Sequence, residues 1–134
     1  GGSDPRSGLI ELRRAFAAET PDRSEIQKLL KTAADERVAI DDSGLGFALG
    51  RTLEEMMNRF VEQPAAKKTL DQLDETARLL EPVPFEVTLW LVQNGFYEVL
   101  SRHHSEVAAR DDPEALEWLE RFRSLGNRIS VRVP

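Results

Sequence analysis

Pro82-Val83-Pro84-Phe85-Glu86-Val87-Thr88-Leu89-Trp90-Leu91-Val92-Gln93-Asn94-Gly95-Phe96-Tyr97-Glu98-Val99-Leu100 is the stretch on which the fold turns. Its two prolines force an extended entry, because proline disfavours helical geometry in the residue before it. From Phe85 to Leu100 the chain is apolar nearly all round: Phe85, Val87, Leu89, Trp90, Leu91, Val92, Phe96, Tyr97, Val99 and Leu100 cover more than one face of a helix. A helix without a polar face has to be surrounded by others. The stretch therefore predicts the central helix of an all-α bundle.

The flanks supply its neighbours. Downstream, Asp112-Pro113-Glu114 opens a last helix carrying Leu116, Trp118, Leu119, Phe122 and Leu125, with Gly126 placed to close it. Ile129, Val131 and Val133 then alternate as a short extended tail. Upstream, Leu70, Leu73, Ala77 and Leu80 recur in steps of three and four, leaving Lys67, Lys68, Asp71 and Arg78 to face water. Before Pro64, the apolar face Leu45, Leu49, Leu53, Met56 and Phe60 predicts another helix, capped by Asp42 or Ser43 after a brief extended segment from Val38 to Asp42. Ile26, Leu29, Leu30 and Ala33 form the stripe of an earlier helix. Thr20 caps it, Pro21 takes its first position, and it ends near Asp35 to Arg37. Leu9, Leu12, Ala15 and Phe16 mark the first helix, behind Ser7. The expected architecture is a bundle of five to six helices with a short extended C-terminal tail. Gly46, Gly50 and Gly95 fall inside helical patterns and predict close backbone packing.

A chain of 134 residues, 40% hydrophobic and 31% charged, is long and apolar enough for one core. The net charge of −6 excludes nucleic acid as a main partner, since phosphate binding needs clustered Lys and Arg. The absence of cysteine excludes disulfides, thiol nucleophiles and thiolate metal sites, and predicts a reducing, cytoplasmic compartment. No run is long and apolar enough to cross a bilayer. Gly1-Gly2-Ser3 reads as an expression scar, and residues 4–134 as a single helical domain taken from a larger protein.

Candidate chemistry is sparse. Gly44-Leu45-Gly46-Phe47-Ala48-Leu49-Gly50 imitates a dinucleotide-binding turn, but its last glycine is spaced by three residues instead of two and no βαβ pattern surrounds it. His103 and His104 are the only histidines, and neighbours on a helix point about 100° apart, so they read as a surface pair. The pairs Asp41 with Asp42 and Asp111 with Asp112 precede helix starts, where caps are acidic, while Asp71 and Asp74 are expected on a solvated helix face. These patterns predict no catalytic residue, no metal and no cofactor. Gln93 and Asn94 are more informative because they interrupt the apolar run, and burial would oblige them to find hydrogen-bond partners. The simpler expectation ties them to neighbouring backbone. The sharper one joins them to Trp90 and Tyr97, about one turn away on either side, as an amide and aromatic surface able to hold a sugar. Trp90, Gln93, Asn94, Tyr97 and Trp118 are accordingly the ligand or interface candidates, with an α-glucan as candidate ligand.

The run from Pro84 to Tyr97 resembles a motif of the C-terminal helical domain of unknown function in bacterial proteins similar to family 57 glycoside hydrolases. There the corresponding stretch reads as proline, Phe-Glu-Val, Leu-Trp, then Gln-Asn and an aromatic pair. The likeness extends to Pro21-Asp22-Arg23, to Ile40-Asp41 through Leu45-Gly46, and to the segment from Gly126 to Pro134. Phe85, Leu89, Trp90, Gln93, Asn94 and Tyr97 occupy motif positions, and Thr88 and Gly95 depart from it. The resemblance implies a noncatalytic accessory domain on a larger cytoplasmic carbohydrate-active protein, with the catalytic carboxylates in a separate domain. The competing expectation is an independent interaction module, dimerising through a stripe such as Leu70, Leu73, Ala77 and Leu80.

Overall fold

Leu45, Leu49, Leu53, Met56 and Phe60 are all buried, together with Met57, on a helix from Ser43 to Glu62. This helix, and not the stretch from Phe85 to Leu100, forms the middle of the fold. The computed structural model describes residues 5–40 and 43–134. Within them the helices are α1 (Pro5–Ala17), α2 (Arg23–Asp35), α3 (Ser43–Glu62), α4 (Lys67–Ala77), α5 (Trp90–Arg102), α6 (His104–Arg110) and α7 (Pro113–Arg128), with a 3-10 turn at Arg78–Leu80. The all-α bundle is as the periodicity predicts, with seven helices among the described residues instead of five to six. Central α3 packs against α1, α4 and α5; α2 lies on α1, and α7 on α4 and α6.

The departure at the deciding stretch has a physical cause. Residues 83–89 are not helical, with Phe85, Val87 and Leu89 half-buried and Glu86 and Thr88 exposed, and the helix begins only at Trp90. An apolar run with inward residues at every second position fits a strand-like segment as well as a buried helix. Packing on α3 decides between them. A Cβ at Gly46 would stand 2.5 Å from the Glu86 carbonyl oxygen, and one at Gly50 would stand 3.4 Å from the Thr88 carbonyl oxygen. These two glycines, one turn apart, let the segment before α5 lie directly on the α3 backbone. Phe85 then reaches Phe16 of α1 edge-on, with ring centres 5.8 Å apart. Gly95 has the same packing role on α5, facing Met57 of α3.

Helix ends explain several shifted boundaries. The α2 N-cap is Asp22 and not Thr20: its carboxylate accepts the Glu25 amide at 3.2 Å, so Pro21 lies before the helix. Asp112 caps α7 as expected, accepting the Ala115 amide at 2.8 Å ahead of Pro113. Gly126 does not close α7, which runs on to Arg128. The left-handed residue is Ser130, φ 64°, with bonds from the Val131 amide to the Gly126 carbonyl at 2.7 Å and from the Ser130 amide to the Asn127 carbonyl. This is a Schellman closure with serine in the position glycine usually takes. α2 ends the same way, with Arg37 at φ 56° and the Val38 amide bonded to the Ala33 carbonyl. Beyond α7 the chain turns at Ile129–Ser130 instead of starting an extended tail there, residues 131–134 are not helical, and Ile129 and Val131 are buried.

Three side-chain expectations are overturned. Asp74 is not solvated: it is fully buried, and its carboxylate accepts Ser124 Oγ at 2.9 Å, Arg128 Nε at 3.1 Å and Arg121 Nη1 at 3.1 Å, tying α4 to α7. Asp71, half-buried, makes a further ion contact with Arg121. Of the stripe Leu70, Leu73, Ala77 and Leu80, the first three are core and Leu80 is half-buried, so Leu70, Leu73 and Ala77 offer a second copy nothing without unfolding. His103 and His104 sit half-buried at the α5/α6 junction, their rings 5.3 Å from Trp118 and 5.9 Å from Phe122, and so are not a surface pair. Gly1-Gly2-Ser3, the Asp41-Asp42 pair and the capping side chains of Ser7 and Ser43 lie outside the described residues.

Candidate functional site

The two faces of α5 differ sharply. Val92, Phe96 and Val99 are buried, and Phe96 stacks on Phe122 with ring centres 4.1 Å apart. The opposite face carries Trp90, 65% exposed, and Tyr97, 53% exposed, with exposed Asn94 between them and Leu91, 51% exposed, beside them. At about 100° per residue, positions 90, 94 and 97 fall within one narrow sector of the helix. A helix with large apolar groups on both faces has one face more than its own fold uses.

The sequence candidates therefore separate. Trp90, Asn94 and Tyr97 come together on the surface. Gln93 turns inward, and its amide donates to the Ile129 carbonyl oxygen at 2.8 Å, fastening α5 to the C-terminal tail. That is the simpler of the two expectations for it. Trp118 is 4% exposed and donates its indole N–H to the Pro64 carbonyl oxygen at 2.7 Å, within a column formed with Phe122 and Phe60. Its ring is engaged on the protein interior and offers no face to a glycan.

Beside Leu91 a groove of about 1070 Å³ runs between α3 and the segment before α5. Gly46 and Gly50 lie along it; Phe47, Arg51, Glu54 and Asn58 form one wall and Pro84, Phe85, Glu86, Thr88 and Leu91 the other. Phe47 is 69% exposed and also borders a second hollow against α1, lined by Arg13 and Ala17. Sequence reasoning missed Phe47. The signal was present, since the buried α3 stripe Leu45, Leu49, Leu53, Met56 leaves position 47 on another face, where a large apolar side chain has no core to enter. Thr52 was missed as well: its hydroxyl donates to the Phe16 carbonyl oxygen at 2.6 Å, satisfying the end of α1.

Gly46 and Gly50 serve helix packing in the interior of α3, so the dinucleotide imitation has no phosphate loop. Among the described residues no three His, Cys, Asp or Glu side chains converge as metal binding would require, and no helix is long and apolar enough to cross a membrane. His104 is held below its ordinary pKa of 6.5, first by burial and then by the charge of Arg123. Asp112 is held below the usual carboxylate range, chiefly by the Ala115 amide it accepts. Neither is paired with a second titratable group across a cleft in the manner of an acid and base. Compared with protein families, with curated proteins and with solved structures, the chain matches none of them.

Proposed function

We propose that this chain is a noncatalytic helical accessory domain that packs on or extends a carbohydrate-active enzyme domain, in a bacterial cytoplasmic protein similar to family 57 glycoside hydrolases. The observation that carries the docking part is the exposed face of α5: Trp90, Leu91 and Tyr97 are more than half exposed while the other face of the same helix is in the core. Tryptophan and tyrosine supply large contact area at small entropic cost and dominate many binding surfaces. The carbohydrate context rests on the resemblance of the stretch from Pro84 to Tyr97, and on Trp90, Asn94 and Tyr97 sharing a surface where an α-glucan could lie.

The test combines two measurements on the purified chain. Sedimentation velocity with a separately expressed family 57-like catalytic domain is expected to show a complex that Trp90→Ser with Tyr97→Ser weakens by about tenfold or more. Trp90 emission titrated with glycogen and maltooligosaccharides reads any direct glycan contact. Absence of a complex together with silent emission would overturn the accessory reading, and turnover of α-glucan by the chain alone would overturn its noncatalytic part.

A further inference from the structure

The groove between α3 and residues 84–91 has a character distinct from the aromatic face of α5. Its charged lining is three carboxylates, Glu54, Glu55 and Glu86, against one guanidinium, Arg51. Arg51 is already engaged by Glu55 at 3.5 Å. Glu54 and Glu86 make no ion pair among the described residues, and they stand on opposite walls. Between them are apolar surfaces, Phe47 and Leu91, both more than half exposed, with half-buried Phe85.

Two carboxylates without an ion pair, on opposite walls of a groove that also carries the exposed Phe47 ring, complement a cation. A guanidinium suits the place better than an ammonium, because it stacks on an aromatic face while its fork meets a carboxylate. Apolar surface on both sides calls for apolar side chains next to that cation. The protein as a whole is acidic, with net charge −6, which favours a basic partner at long range. We propose that this groove binds a short segment of another polypeptide, with an arginine held by Glu54 and Glu86 and an apolar side chain against Phe47 and Leu91. The inference rests on the reading that the chain docks onto protein, and it names the chemistry of the segment received.

The experiment is a titration of the isotopically labelled chain followed by amide chemical shifts. One probe is a nonapeptide of alternating leucine and arginine capped by glycines; the other has glutamate in place of every arginine. The basic peptide is expected to give saturable shifts confined to residues 46–58 and 84–91, with about tenfold or greater weakening in Glu54→Gln with Glu86→Gln, and again in Phe47→Ser. These side chains lie at the surface, and an unchanged far-ultraviolet dichroism spectrum keeps loss of binding distinct from loss of fold. The acidic peptide is expected to give none of these shifts. Shifts spread over the whole acidic surface, shifts unchanged in the double variant, or equal binding of both peptides would overturn the proposal, as would maltooligosaccharide or a second copy of the chain producing the shifts in place of the peptide. If the peptides fail while the complex with the catalytic domain persists, the groove assignment alone is lost. If both fail, the docking reading is lost with it.

Discussion

Arg37 and Ser130 hold left-handed backbone at φ 56° and 64°, each in the closing position of a helix. A side chain in that region costs on the order of 1 kcal/mol that glycine does not. Ser130→Gly and Arg37→Gly are each expected to stabilise the chain by about 0.5 kcal/mol after the larger unfolded-state entropy of glycine is subtracted, read as a higher urea midpoint at unchanged slope. Ser130→Val is expected to lower the midpoint instead. His104 makes a pH argument at the same scale. Its pKa in the fold lies below 6.5, so the fold favours the neutral ring, and the unfolded chain takes up the proton first. The associated stability is present above about pH 6.5 and is lost as the pH falls through that region. Thermal unfolding between pH 7.5 and 5.5 is expected to show a falling midpoint, and His104→Gln to flatten that slope. Asp112 acts in the same direction at lower pH, because its pKa is also depressed.

Glycines separate by what they face at the scale of elements. Gly46→Ala drives a methyl group into the Glu86 carbonyl, which is backbone and cannot swing aside, and is expected to cost about 2 kcal/mol. Gly8 faces open space in α1, so Gly8→Ala is expected to gain about 0.5 to 1 kcal/mol from helix propensity alone. Equilibrium denaturation of the pair gives opposite signs if the segment before α5 sits on α3 as described. The α4–α7 contact depends on the buried Asp74 carboxylate and its three donors from α7. Arg121 is held above its ordinary pKa, first by the hydrogen bond to Asp74. Asp74→Ala strands Arg121 and Arg128 beside a cavity, and a loss of about 3 kcal/mol is expected, below the most severe cases because both arginines reach solvent. Hydrogen exchange is expected to rise most in α4 and α7. Sequence placed Asp74 on a wet face because it counted only the apolar stripe, and a carboxylate sharing that stripe is legible only once its arginines are seen on another helix.

Across the whole molecule, the seven described helices, with α3 packed between α1, α4 and α5, leave one face of α5 and the neighbouring groove apolar and open. The all-α class was legible throughout, since five stripes at helical spacing, Asp112-Pro113 and the prolines at 64, 82 and 84 punctuate the chain with little ambiguity. The site was half legible. Trp90, Asn94 and Tyr97 do share a surface, because their spacing already fixes a common face once a helix is granted. Gln93 and Trp118 belong to the interior, and nothing local distinguishes an indole that bonds Pro64 from one that meets a ligand, since both are aromatic residues on an amphipathic helix.

Sequence alone determined the all-α class and the position of most of the helices, because capping, proline geometry and the 3.6-residue period act over a few neighbours. Only the tertiary structure decided that residues 83–89 are not helical, that α3 and not α5 is central, and that Asp74 is inside. Each of these depends on a partner distant along the chain: the Gly46 and Gly50 surface for the segment before α5, the arginines of α7 for the carboxylate, and the space between α1, α4 and α5 for α3. An apolar run states that burial is needed; the shape of what it is buried against selects the backbone that fits.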